Sequence, residues 1–185
     1  MKKWLQTVLI VVGIIAFVTL VFFGTQYESK ANKAQIIARD LKLIEATLKK
    51  IHADCIISGF TQIKNPLTFF NVITFTGSEV GTLNLVHPDK WRGPYIKDNP
   101  SIQGVEYQVV HAKDGLFIIP GDGVSLPNGK TIGKDIIVNE QSQVETMLHK
   151  DDTLCYKEYC FAKKLDFQSD EIEDLANAPE GLFDY

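Results

Sequence analysis

An uncharged apolar run near the start of the chain constrains the fold more than any other feature. Residues 5–24 read LQTVLIVVGIIAFVTLVFFG, where Gln6, Thr7 and Thr19 are the polar interruptions. About 20 such residues, rising roughly 1.5 Å each along a helix, span the roughly 30 Å hydrocarbon core of a bilayer. The run therefore predicts a transmembrane anchor over residues 1–26.

The next segment, residues 27–57, contains no proline and has an amphipathic pattern. Its apolar residues recur at spacings of three and four: Ala34, Ile37, Ala38, Leu41, Ile44, Leu48 and Ile51. Charged residues lie between them, as expected for a helix with one apolar face. We therefore predict one continuous helix whose second half packs its apolar face on a folded domain. Cys55 continues that face as a small buried residue, and Gly59 is the expected C-terminal cap.

The flanks of the apolar run bear on topology. Lys2 and Lys3 favour a cytoplasmic N-terminus, whereas Lys30 and Lys33 lie close behind the run, so charge alone leaves the orientation open. The bulky residues at the end of the run lack a small-x-small cleavage site, which favours a retained anchor over a cleaved signal peptide.

Charge and motifs argue against two classes of function. The chain has a net charge of −4, but residues 166–185 carry seven acidic and no basic residues, so the rest is mildly positive. This distribution gives no reason to expect a nucleic-acid partner. No GxSxG, P-loop, GxGxxG or HExxH motif is present, and the four histidines lack metal-ligand spacing. We therefore predict that the protein is not an enzyme.

Two cysteines point to a compartment. Cys155 and Cys160 have four residues between them and lack the paired spacing of a zinc ribbon. A short structural disulfide is one interpretation, and it would place the domain in an oxidising compartment. The other is a pair of reduced thiols in a cytosolic domain.

The most distinctive stretch of the remaining sequence is the aromatic loop, Trp91-Arg92-Gly93-Pro94-Tyr95. Pro94 fixes a backbone angle, Gly93 relaxes the one before it, and Trp91 and Tyr95 provide large apolar faces with polar groups. Two interpretations stay open: a structural corner anchored by its aromatic rings, or a platform that binds a peptide or glycan.

Alternating and turn-forming residues predict an antiparallel hairpin in the second half of the chain. Residues 105–110 and 116–119 are its strands, joined by the turn Lys113-Asp114-Gly115. Residues 135–138 are predicted as a last strand, and a capping box predicts a short helix over 142–149. Residues 67–75 fit either a strand or the start of a helix.

Residues 121–135 form a glycine- and aspartate-rich segment, the Gly/Asp loop. Glycines let carbonyl oxygens turn inward, and the carboxylates of Asp122 and Asp135, with Ser125 or Asn128, would offer an oxygen shell for calcium. The alternative is a tight turn in which Asp122 accepts hydrogen bonds. No other cofactor is predicted.

The order of these features resembles the type IV pilin superfamily, in particular the major pseudopilin of type II secretion. The resemblance covers most of residues 1–138. Trp91-Arg92-Gly93-Pro94-Tyr95-Ile96 is similar to the tryptophan-glycine-proline-tyrosine segment of those proteins. Tyr107 and residues 117–122, with Asp135-Ile136, are similar to the strand and calcium loop that follow. The chain lacks the glycine-phenylalanine-threonine processing site and the glutamate found just inside the membrane helix of family members.

The resemblance implies an α+β, pilin-like fold in which a long N-terminal helix packs on a small antiparallel sheet. The globular domain would cover residues 27–165, with residues 166–185 as an acidic C-terminal tail. The function implied is that of a structural component of a secretion or pilus-type assembly. Its partners would be the membrane and other subunits, copies of itself among them.

The implied location is the bacterial inner membrane, crossed once, with the soluble domain in the periplasm. The Cys155–Cys160 pair would lie near the C-terminal disulfide loop of many pilins, and Asp122 and Asp135 match the calcium positions. An alternative function is a tethered, non-polymerising module that recognises a peptide or glycan through the aromatic loop.

Overall fold

The computed structural model describes residues 2–149 and 153–167, with side chains described from residue 29 onward. Its first element, α1, is one unbroken helix over Lys2–Cys55, 54 residues or about 80 Å long. The absence of proline and the continuous run of good helix formers and apolar residues account for this length. The prediction of one continuous helix is therefore confirmed.

The apolar face predicted for the second half of α1 is buried. Its fully covered members are Ala34, Ile37, Leu41, Ile44, Leu48, Ile51 and Cys55, each at most 3% exposed. Ala38, at the edge of this face, is half-buried. The helix packs against three strands: β7 (Gly115–Pro120), β9 (Tyr159–Cys160) and β10 (Lys163–Leu165). The helix face thus forms one side of the core.

The helix ends at Cys55, two residues before the predicted boundary and four before the glycine expected to cap it. Ile56 instead takes a left-handed conformation, with φ of 53°, and donates its backbone N–H to the carbonyl of His52 at 2.8 Å. The next amide, from Ile57, donates to Nδ1 of His52 at 3.2 Å. Ile56 therefore takes the capping role expected of Gly59, the His52 imidazole holds the next amide, and Gly59 belongs to the strand that follows.

Antiparallel strands make up the rest of the fold. Eight of them form two sheets: β1 (Ile57–Phe60), β2 (Lys64–Pro66), β3 (Glu79–Val80), β4 (Leu83–Leu85), β5 (Ser101–Ile102), β6 (Val105–Ala112), β7 and β10. The smaller sheet has the order β1-β4-β3, and the larger has the order β10-β7-β6-β2, with β5 also paired to β6. A 3-10 turn, Pro88–Lys90, precedes the aromatic loop. The protein is therefore α+β, with one long N-terminal helix and antiparallel sheets.

The predicted hairpin is confirmed as β6 and β7. Tyr107 pairs with Pro120 at one end and Ala112 with Gly115 at the other, so Lys113 and Asp114 form the turn. The middle of the hairpin is buried on both faces, since consecutive residues of each strand are buried, and α1 packs against β7. This hairpin is the centre of the larger sheet.

Other predictions for the second half of the chain had mixed outcomes. Residues 135–138 are not a strand: Ile136 makes an isolated bridge to Ile132, because the carbonyl of Thr131 binds the amides of residues 134–136 in a tight turn. Residues 67–75 are neither strand nor helix, yet they contribute three buried side chains, Leu67, Phe69 and Phe70. The predicted short helix is present as α2, Val144–His149.

The predicted location in the bacterial inner membrane, with the domain in the periplasm, is contradicted. Across the part of the chain that the structure describes, no helix combines the length and apolar character needed to cross a bilayer. The run over residues 5–24, on which that prediction rested, lies in the part of α1 whose side chains are outside the described set. The tail beyond residue 167 likewise lies outside the described residues.

Candidate functional site

The aromatic loop packs onto the protein through both of its rings. The Trp91 ring meets Phe75 edge-on, with ring centroids 5.2 Å apart, and meets Tyr95 at 4.8 Å. Its indole N–H donates to the carbonyl oxygen of Val72 at 3.0 Å. The indole N–H of Trp91 is therefore bonded within the chain, and its ring packs against two other aromatic rings.

Tyr95 connects the aromatic loop to the last turn of α1. Its hydroxyl donates to Oδ2 of Asp54 at 2.9 Å and accepts the backbone N–H of Arg92 at 3.4 Å. The sulfur of buried Cys55 lies 4.0 Å from the same oxygen. Burial, and then the Asp54 carboxylate, raise the pKa of Tyr95 well above its ordinary value, so this hydroxyl remains a donor at physiological pH. Tyr95 is only 8% exposed.

The other members of the aromatic loop have distinct positions. Gly93 lies so close to the Val72 carbonyl and the Trp91 indole that a Cβ atom would overlap both. Pro94 follows a cis peptide bond and is exposed, as is Arg92. The loop contacts therefore support a structural corner that fastens the start of the domain to the end of α1.

A second tyrosine–aspartate pair, which sequence reasoning missed, lies nearer the middle of α1. The hydroxyl of Tyr107, on β6, donates to Oδ2 of Asp40 at 3.0 Å. Tyr107 is fully buried and Asp40 is 7% exposed. Arg39 supplies a countercharge at 3.2 Å from Oδ1 of Asp40. Burial, and then the charge of Asp40, raise the pKa of Tyr107.

A sequence signal for this pair existed. Asp40 lies three residues after Ile37 and directly before Leu41, so a helical wheel places this carboxylate at the edge of the apolar face. A charge in that position needs a partner when the face is buried. The partner itself, Tyr107, follows only from the packing of β6 on α1.

The two residues predicted to bind calcium lie in one loop but do not converge on a common point. Oδ2 of Asp122 accepts the ammonium of Lys64 at 2.6 Å, and its Oδ1 accepts Gln108 Nε2 at 3.3 Å. Asp135 uses Oδ2 to accept the backbone N–H of Thr131 at 2.8 Å, within its own turn.

Two further oxygens of this loop are engaged elsewhere. The backbone carbonyl of Ser125 accepts Gln103 Nε2, its amide donates to Gln103 Oε1, and Asn128 Oδ1 accepts the amide of Lys130. Among the described residues, no three histidine, cysteine or acidic side chains lie close enough to share a metal ion. Calcium takes six to eight oxygen ligands, so the donor set around Asp122 and Asp135 does not fit it.

The disulfide predicted between Cys155 and Cys160 is present. The two cysteines face each other across an antiparallel pair formed by β8, Cys155–Tyr156, and β9. The bond therefore closes a small hairpin, and one strand of that hairpin, β9, packs against α1.

Comparisons with known proteins found no family model, no curated protein and no solved structure that matches this chain.

Proposed function

We propose that the protein is a structural subunit of a secretion or pilus-type assembly, in which copies associate through the N-terminal half of α1. The observation that carries the proposal is the division of this one helix into two kinds of sequence. From Ala34 to Cys55 a single apolar face is buried under the domain. Residues 5–24 carry no charge and are apolar apart from Gln6, Thr7 and Thr19, so apolar residues occur all round the helix.

A helix that is apolar all round must be shielded from water on all sides, whereas an amphipathic helix needs to bury only its one apolar face. The contacts of the described side chains of α1 begin near Lys33 and continue to Cys55. The proposal assigns the cover of residues 5–24 to the same helix in neighbouring copies, packed side by side as in helical bundles.

The attachment of the domain to α1 supports this role, because a subunit that assembles through one helix must hold its domain in a fixed position. Each large apolar side chain of the buried face contributes about 1.5–3 kcal/mol, against about 1 kcal/mol net for a hydrogen bond. The apolar face therefore supplies most of the stability. The two tyrosine–aspartate bonds fix the rotation and register of the helix on the sheet.

The alternative of a tethered peptide- or glycan-binding module receives less support from the contacts. Such a platform offers an open ring face and free polar groups to its ligand. In this chain the indole N–H of Trp91 and the hydroxyl of Tyr95 already bond to Val72 and Asp54.

Site-directed cross-linking of the full chain tests the proposal. Single cysteines at Val8, Leu9, Ile10 and Val11, which follow one another at about 100° around the helix, sample all faces of the N-terminal half, in a Cys55→Ala background that removes the free thiol. We expect cross-linked dimers, the largest product that one reactive thiol per chain allows, from positions on one or more of these faces. Lys42→Cys, on the exposed side of the domain-bound half, is the matched control and should give much less product.

Light scattering on the same samples measures the particle mass. A full chain that stays monomeric and forms no cross-link from any of the four positions would refute association through α1. Equal cross-linking from Lys42→Cys would indicate non-specific collision and would also count against the proposal.

A further inference from the structure

We propose that the ammonium group of Lys64 takes the structural place of a divalent cation in the Gly/Asp loop. The order of this loop would then be independent of calcium and would depend on an ion pair within the chain. The inference concerns the domain alone, so it holds or fails separately from the proposed assembly through α1.

The carboxylate of Asp122 lies where three parts of the domain meet. Lys64 reaches it from β2 and Gln108 from β6, at 2.6 and 3.3 Å. On a third side, Gly133 approaches so closely that a Cβ on it would lie 2.8 Å from the carboxyl carbon of Asp122. One carboxylate thus connects the edge of the larger sheet to the second half of the loop.

Backbone hydrogen bonds already join the two halves of the Gly/Asp loop. The amide of Gly123 donates to the carbonyl of Ile132 at 2.8 Å, and the amide of Ile132 donates to Val124 at 2.9 Å. The amide of Leu126 donates to Lys130 at 2.7 Å. A metal ion is therefore not required to close the loop, and what remains is to neutralise the carboxylate that lies against it.

The charges in and around the loop favour Lys64 over a metal ion as the group that neutralises the Asp122 carboxylate. The Lys64 ammonium is in direct contact with the carboxylate, and Lys130 and Lys134 lie in the same loop. A divalent cation entering beside Asp122 would meet the Lys64 charge at close range, and like charges at that distance repel strongly. Displacing Lys64 would free one carboxylate, whereas Asp135 remains bonded to its own turn.

The ion pair is partly exposed, with 31% of the Lys64 side chain and 49% of the Asp122 side chain accessible. Its contribution is therefore modest and sensitive to ionic strength. This property separates it from a calcium site, whose occupancy follows the concentration of the metal.

Hydrogen exchange of the Gly123 and Ile132 amides, measured on the full chain, tests the inference. In the wild type we expect the same exchange rates in millimolar CaCl2 and in EDTA, and faster exchange as NaCl is raised. Lys64→Met should accelerate exchange about two- to fivefold at low salt, the range expected for a partly exposed ion pair, and should abolish the NaCl effect. Lys134→Met, which removes the same charge from within the loop itself, should leave both amides as in the wild type.

Two results would overturn the inference. One is slower exchange, or a higher melting temperature, of the wild type in calcium than in EDTA, with the effect lost in Asp122→Asn. The other is a Lys64→Met variant whose amides exchange as in the wild type at every salt concentration.

Discussion

The two tyrosine–aspartate pairs attach the same helix to the same domain, yet they are built differently. Tyr107 comes from the middle of β6, is fully buried, and bonds to an aspartate that is itself buried beside Arg39. Tyr95 comes from the aromatic loop, is 8% exposed, and bonds to the half-buried Asp54 at the end of α1. One pair is held by a sheet, and the other by a loop.

This difference separates two ways of fixing a helix on a domain. The register of β6 places Tyr107 whatever its hydroxyl does, because six pairs with β7 hold the strand. Tyr95 depends on the path of the aromatic loop, which rests on the Trp91–Val72 bond and on the close approach at Gly93. We therefore expect the loop-based pair, Tyr95–Asp54, to be lost when the backbone of the aromatic loop shifts. For the strand-based pair, Tyr107–Asp40, we expect stability to fall mainly when its own hydrogen bond is removed.

The largest expected effect comes from Gly93→Ala, which should break the loop-based pair alone. The added Cβ overlaps the Val72 carbonyl and the Trp91 ring, and overpacking of this kind costs about 1–3 kcal/mol. Because Cys55 is buried beside Tyr95, a displaced loop should also expose its thiol. We expect a lower urea midpoint and faster labelling of Cys55.

Gly59→Ala is the matched control for that substitution, because no atom lies within 4 Å of a Cβ built on Gly59. It should leave the urea midpoint and the labelling of Cys55 close to those of the wild type. Unchanged labelling in Gly93→Ala would show that the aromatic loop does not cover the end of α1.

Removing each tyrosine hydroxyl compares the two pairs directly. Tyr107→Phe leaves the buried Asp40 without one of its partners, which should cost about 1–3 kcal/mol. Tyr95→Phe leaves Asp54 half-exposed, where water replaces the lost donor, so about 0.5–1.5 kcal/mol is expected. Urea unfolding of both variants measures the difference, and an equal or larger loss in Tyr95→Phe would contradict this ranking.

The sequence predicted those elements whose structure follows from a local pattern, and it failed where a contact between separate residues determines the structure. Periodicity of 3.6 identified the buried face of α1, and alternation with an Asp-Gly turn identified β6 and β7. Residues 135–138 also looked like a strand, but the amides of Asp135 and Ile136 donate to the Thr131 carbonyl. Hydrogen bonds of that kind leave no periodic trace in the sequence.

The candidate site was predicted less completely, for a related reason. Residue types located the aromatic loop and the disulfide, since tryptophan, tyrosine and paired cysteines are informative by themselves. The partners were not predictable: Asp54 for Tyr95, Val72 for Trp91 and Lys64 for Asp122 lie between 19 and 58 residues away in the chain. Such pairings depend on the packing of the sheets around α1, which one sequence does not specify.

The smallest expected effect is a dependence on pH at the loop-based end of the helix. His52 stacks on Phe167, with ring centroids 4.6 Å apart, and its Nδ1 accepts the amide of Ile57. Burial lowers the pKa of His52 below its ordinary value of 6.5, so the folded chain favours the neutral imidazole.

The unfolded chain therefore takes up a proton at this histidine at higher pH than the folded chain does. The stability that the neutral imidazole provides should be fully present above pH 6.5 and should decline as the pH falls through the lower folded-state value. Urea unfolding between about pH 7 and pH 5 should show a shallower decline in His52→Gln than in the wild type, whereas His149→Gln, at the exposed end of α2, should follow the wild type. If His52→Gln keeps the full decline, then protonation of His52 does not control the stability of this end of α1.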